Sequence, residues 1–272
     1  RHIHEKSVTR ENIVVNLTTD GAGLVSAEPH VAQLVDRLPS SLSSDPGTPT
    51  SLTTLRNFEW VAADADGAGK NEAFVVPSQV NYVAQGGQLD GLKEASLGAW
   101  SVVSRYLRNT WLWDEVRVVG GAYGGFCSLD LTTGTFQYGS YRDPNLQTTL
   151  DAYAKSAKFL REARIDGNEV TKGIIGTISD ADTPRTPAAR GHADMVHYLV
   201  GEQSENRQAW RDQVMATTES DFMAFAEVLD AMHASGKERG GDAVVVGGQT
   251  AVDEMMVRSQ EMKDVWGVRN VI

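Results

Sequence analysis

The chain has 272 residues, 41% of them hydrophobic, and a mean hydropathy of -0.30, enough apolar material to bury a core. Its longest apolar runs, such as Ala243 to Val246, fall far short of the roughly 20 residues that cross a bilayer, so no membrane partner is expected. A formal charge of -11 and a pI near 5.0 argue against nucleic acid, which needs a concentrated Lys/Arg surface, and favour a basic ligand.

The single cysteine, Cys127, excludes an internal disulfide framework and any multi-cysteine metal site, and suits a reducing compartment. The chain opens on Arg1 rather than Met, and RHIHEKSVTR lacks the apolar core of a secretory leader. It reads as part of something longer.

In chain order, Ile13, Val15 and Leu17 alternate with Val14, Asn16 and Thr18, predicting a strand that ends at Asp20-Gly21. A short helix is expected from about 28 to 38. Residues 39–56 are rich in Ser, Thr and Pro and predict a flexible surface loop. Residues 73–85 read as strand, break at Pro77, and strand. From about 92 to 110 a helical face runs through Ala95, Ala99, Val102, Val103, Tyr106 and Leu107. Residues 116–141 read as a strand pair with its turn at Thr132-Thr133-Gly134.

Beyond residue 142 helices dominate. Asp143 and Pro144 are read as cap and first position of a helix whose apolar face is Leu146, Leu150, Tyr153, Ala157 and Leu160. Thr218 with Asp221 resembles a capping box before the stripe Phe222, Phe225, Leu229 and Met232, which ends at Gly236. A last strand, Ala243 to Val246, precedes a terminal helix. The fold class is therefore α+β: a mostly antiparallel mixed sheet with helices packed on one face.

The chemistry begins with a negative. None of His2, His4, His30, His192, His197 and His233 lies in H-E-x-x-H or its inverse H-x-x-E-H. His2-Ile3-His4-Glu5 superficially matches the start of a metal site, but no C-x-x-C follows. His192 and His197, five apart on a helix, point about 140 degrees apart and do not share a metal. No metal ligand is assigned to this chain. Cys127 has no base near it in sequence and reads as a buried structural thiol. The cluster Gly120-Gly121-Ala122-Tyr123-Gly124-Gly125 lacks both nucleotide-binding glycine spacings. Glycines on both sides of one tyrosine mark either a bend or a place where a backbone or ligand approaches closely.

The stretch from Asn109 through Trp111, Trp113, Arg117 and Tyr123 to Cys127 closely resembles the last domain of the presequence proteases, the pitrilysin-type peptidases of mitochondria and chloroplasts. Ser140-Tyr141-Arg142-Asp143-Pro144-Asn145-Leu146, Thr171-Lys172-Gly173-Ile174-Ile175-Gly176-Thr177-Ile178 and Pro77-Ser78-Gln79-Val80-Asn81-Tyr82-Val83 agree, in the right order. The resemblance covers about residues 70–240; residues 39–56 and 86–97 depart from the pattern.

The resemblance implies four homologous α/β domains in two halves closing around substrate, with this chain as the single C-terminal domain. The implied fold is that of pitrilysin and the mitochondrial processing peptidases. Zinc and its inverted motif belong to the N-terminal half, absent here, which is the implied partner. The implied substrates are cleaved presequences, transit peptides and other short unstructured peptides, in the mitochondrial matrix or chloroplast stroma. Arg117 and Tyr123 match the family's strand-borne Arg and, six residues on, Tyr, which reach the scissile peptide. Gly120, Gly121 and Ala122 between them are expected to contact substrate. In a regular strand a separation of six puts Arg117 and Tyr123 on one face. A guanidinium and a phenol suit the charge that builds on an attacked peptide carbonyl. A non-catalytic pitrilysin-like binding or assembly module is the alternative; the isolated chain is in either case expected to be inactive.

Overall fold

The computed structural model describes residues 8–40, 71–89, 97–238, 241–258 and 265–271. The chain divides into two compact units, Arg1–Glu59 with Thr183–Arg207 and Trp60–Asp182 with Gln208–Ile272, which are taken separately.

In the first unit, helix α1 spans Gly21–Asp36 and starts seven residues earlier than the expected position 28. Asp20 explains the difference: its carboxylate accepts from Gly23 N–H at 2.7 Å, so Asp20-Gly21 is a helix start rather than a strand-ending turn. The expected strand at Ile13–Leu17 is a correction. These residues are exposed, and no strand pairs with them among the described residues. Alternation reports the direction of side chains, whereas a strand also needs a partner for its backbone. Most of the expected 39–56 loop lies outside the described residues.

The second unit holds a six-stranded mixed sheet of β1 Asn71–Val75, β2 Asn81–Gln88, β3 Gly124–Leu129, β4 Thr135–Asp143, β5 Ala243–Gly247 and β6 Trp266–Asn270. Its order is β3-β4-β2-β5-β1-β6. The β3/β4, β4/β2 and β2/β5 pairs are antiparallel, and β5/β1 and β1/β6 are parallel. The mostly antiparallel mixed sheet read from the sequence is the sheet observed. β6, not expected, is short and completes a parallel pair with a strand nearly 200 residues earlier, leaving no local pattern to read.

Alternate residues of these strands face the core: Ala73 and Val75, Val83, Cys127, Phe136 and Tyr138, Ala243 and Val245. Helices α2 (Leu97–Leu107), α3 (Gln147–Ala154), α4 (Ser156–Glu162) and α8 (Glu219–Glu238) cover that face. The stripe read for α3 and α4 is buried throughout, as is that of α8. Phe225 of α8 stands against Trp100 (5.7 Å between ring centroids) and Phe136 (5.4 Å). Tyr153 stacks on Tyr138 at 4.8 Å and donates its hydroxyl to the Val83 carbonyl at 3.3 Å. Asp143 differs from its expected role as a cap. Its carboxylate accepts from Asn145 N–H (2.8 Å) and the Thr149 hydroxyl (2.7 Å), locking the turn ahead of α3.

Candidate functional site

The site grows out of the segment after α2. Residues Arg108–Val119 continue the helix with a wider π-type turn, closing with Gly120 N–H on the Glu115 carbonyl, five residues back, at 3.0 Å. This corrects the reading of residues 116–119 as strand. Val116, Val118 and Val119 look β-like in sequence, but Leu112 and Val116, four apart, are the buried pair, and Arg117, Val118 and Val119 face solvent. The buried series Leu107, Leu112, Val116, spaced five then four, was the signal available.

Arg117 and Tyr123 therefore do not share a strand face; they flank a helix-to-strand turn. Arg117 sits in the last turn, where its charge complements the helix dipole, and its guanidinium lies over the Trp113 ring at 4.1 Å. Tyr123 immediately precedes β3, is 68% exposed, and its N–H donates to the Arg142 carbonyl at 3.3 Å.

Gly120, Gly121 and Ala122 make the turn. Gly121 N–H bonds Arg117 O (3.0 Å) and Ala122 N–H bonds Val116 O (3.1 Å), while Asn145 donates to Gly120 O at 2.6 Å. All three N–H groups thus serve the helix end and offer no donor outward, and the Ala122 side chain is buried. Gly121 has φ +79, a left-handed conformation that disfavours any side chain. The close approach inferred from the glycines is made within the chain: a Cβ on Gly125 would lie 2.8 Å from the Val116 Cβ.

The sheet face opposite the core carries aromatic rings. Tyr141 packs edge-on between Tyr123 (5.9 Å) and Tyr82 (5.6 Å), and Phe126 and Val244 are also exposed on this side. This row was not singled out in the sequence, although strand alternation exposes Tyr82 and Tyr141 directly. Cys127 points the other way. Its thiol donates to the Ser104 carbonyl at 3.3 Å, and burial pushes its pKa up to about 12, so it is an unreactive core group.

Among the described residues, no three His, Cys, Asp or Glu side chains gather as a metal site. His192 and His197 lie on α6 (Pro187–Val200), where His197 faces Glu202 at 3.5 Å; His2 and His4 lie outside the described residues. No described helix is long and apolar enough to cross a membrane.

Among the described residues helices cover one face of the mixed sheet, and solved peptidases superpose on this fold. A protease from Helicobacter pylori superposes with a TM-score of 0.54 over 85% of this chain and 53% of its own, at 15% identity. Pitrilysin superposes at 0.50 over 74% of this chain and 22% of its own, at 13% identity. Residues 71–247 match the family described as the PreP C-terminal domain, and the chain belongs to that family. Presequence protease 1, chloroplastic/mitochondrial, of Arabidopsis thaliana is 40% identical over 86% of this chain. That stretch is 20% of the Arabidopsis protein, so the chain spans about a fifth of the relative's length.

Proposed function

We propose that this chain is the C-terminal domain of a zinc metallopeptidase that degrades cleaved presequences, transit peptides and other short unstructured peptides. Its part is to hold the peptide and stabilise charge at the attacked carbonyl. The observation carrying this reading is the pair Arg117 and Tyr123, exposed on either side of one turn in a domain of the presequence-protease family. Zinc belongs to the N-terminal half, the partner against which the open face works. The compartments are those in the Arabidopsis relative's name, chloroplast and mitochondrion.

Each residue has a defined task. The Tyr123 hydroxyl donates to the oxygen on which negative charge develops. Arg117, steadied on Trp113, holds substrate carbonyls before and during attack. Gly120, Gly121 and Ala122 contribute backbone shape, placing Tyr123 beside the peptide, since their N–H groups are already occupied.

The test is made in the complete peptidase. Tyr123→Phe keeps the ring and removes one donor, so turnover falls by roughly 10- to 10³-fold with little change in KM. Arg117→Ala raises KM and lowers kcat together. Wild-type turnover in Tyr123→Phe would make this tyrosine a packing residue and end the proposal.

A further inference from the structure

Strand β4 contains an irregularity in its pairing with β2. Val83 pairs with Ser140, yet Asn81 pairs with Asp143, so β4 carries one residue more than β2 between these points, and Tyr141 and Arg142 together oppose Tyr82. Such a bulge bends a strand and re-aims a side chain. Arg142 also has φ +49, the one non-glycine residue in the left-handed region among the described residues. A long side chain held there is strained, and strain of this kind persists where the surroundings fix it. The surroundings are visible on both sides of the bulge. Asn81 donates to the Asp143 carbonyl at 3.0 Å, the Asp143 carboxylate is fully engaged by Asn145 and Thr149, and the Arg142 carbonyl accepts from Tyr123 N–H.

The side chain so aimed carries a charge with no ion-pair partner among the described residues. The Arg142 guanidinium lies 5.6 Å from the Tyr141 ring, the same ring that meets Tyr123 edge-on at 5.9 Å. Of the other arginines of this unit, Arg105, Arg108, Arg161, Arg211 and Arg269 are ion-paired, while Arg164 has no ion pair among the described residues. Arg142 and Arg117 form no ion pair among the described residues, in a chain of net charge -11. Its neighbour Asp143 is buried with both oxygens bonded elsewhere, so it is no counter-ion.

We infer that Arg142 is a specificity-determining residue that binds a carboxylate of the substrate peptide, on an acidic side chain near the scissile bond or at the peptide's C-terminus. A guanidinium presents a fork that matches a carboxylate, and resting on an aromatic ring orders it beforehand. This inference rests on the placement of Tyr123 beside the scissile bond.

The experiment uses the complete peptidase and one peptide made in matched forms: Glu or Gln at each position flanking the cleaved bond, and free acid or amide at the C-terminus. One carboxylate form is preferred by roughly tenfold in kcat/KM, carried in KM and shrinking as salt rises. Arg142→Asn, which tolerates the left-handed backbone, brings that preference to about one, and Arg142→Lys, which keeps charge without the fork, keeps part of it. A preference confined to one internal position assigns the carboxylate to a side chain, and one confined to the acid/amide pair assigns it to the terminus. Absence of any carboxylate preference in the wild type, or its survival in Arg142→Asn, overturns the inference. Tyr123→Phe separates the two readings: it slows acidic and neutral forms alike, and its failure to do so counts against the site as a whole.

Discussion

The two faces of the sheet are built from the same strands and do opposite things. Along β4, Phe136, Tyr138 and Ser140 are buried, while Gln137, Tyr141 and Arg142 face solvent. On the closed face Phe136 meets Tyr138 and Phe225, and Tyr138 meets Phe136 and Tyr153. On the open face Tyr141 meets Tyr82, Tyr123 and the Arg142 guanidinium, and all three rings are exposed. Tyrosine suits such a face because the ring makes contact area while the hydroxyl stays hydrated. Stability therefore resides on one face, and the other carries exposed rings on which the proposed peptide contact would be made.

The largest effect comes from the closed face. Phe225→Ala removes a fully buried ring between Trp100 and Phe136 and destabilises this chain by about 3–5 kcal/mol in chemical denaturation. A loss under about 1 kcal/mol would mean that helix α8 is not part of the core.

A middle-sized effect depends on pH. His233 is buried on α8, stacked on Tyr138 with centroids 5.9 Å apart. Burial lowers its pKa, against the opposing pull of Asp242 and Asp230, with Lys237 adding to the lowering. A histidine with a lowered folded pKa binds its proton more tightly when unfolded, so its contribution to stability is complete above its ordinary pKa and is lost as pH falls below it. Melting temperature should accordingly decline from pH 7.5 to 5.5, and His233→Asn should flatten that slope. An equal slope in the variant would place the pH sensitivity elsewhere.

The smallest effect on stability belongs to the open face. Tyr141→Ala should alter unfolding free energy by no more than about 1 kcal/mol, while raising peptide KM in the complete peptidase. If it cost as much as Phe225→Ala, the open face would be core and the contrast between faces would collapse.

The closed face was the legible one. The stripes of α8 and of α3 with α4 could be read because a helix packed on a sheet repeats its apolar residues at a local period, and strand alternation at β1, β2, β3 and β4 did the same. What escaped depended on distant partners. Ile13–Leu17 alternates like a strand without a paired strand among the described residues, and β6 exists because β1 offers an edge. Val116–Val119 misled because β-branched residues can sit in a helix that tertiary packing holds. Arg117 and Tyr123 were singled out through family resemblance alone, and the geometry inferred for them changed when their strand proved to be a helix end. Arg142 lies within the family-like segment Ser140–Leu146, but only the pairing register exposes the extra residue that aims it.

Cys127 has a practical consequence for optical and cross-linking work. The only sulfhydryl in the sequence is walled in, hydrogen-bonded to Ser104 and held protonated at any working pH. A second cysteine introduced on the open face, for example in place of Phe126, would be the sole group to take a maleimide dye or photoreactive tether in the native chain. A ruler between that dye and a labelled peptide could then follow capture of the peptide in real time, with no background from the wild-type residue.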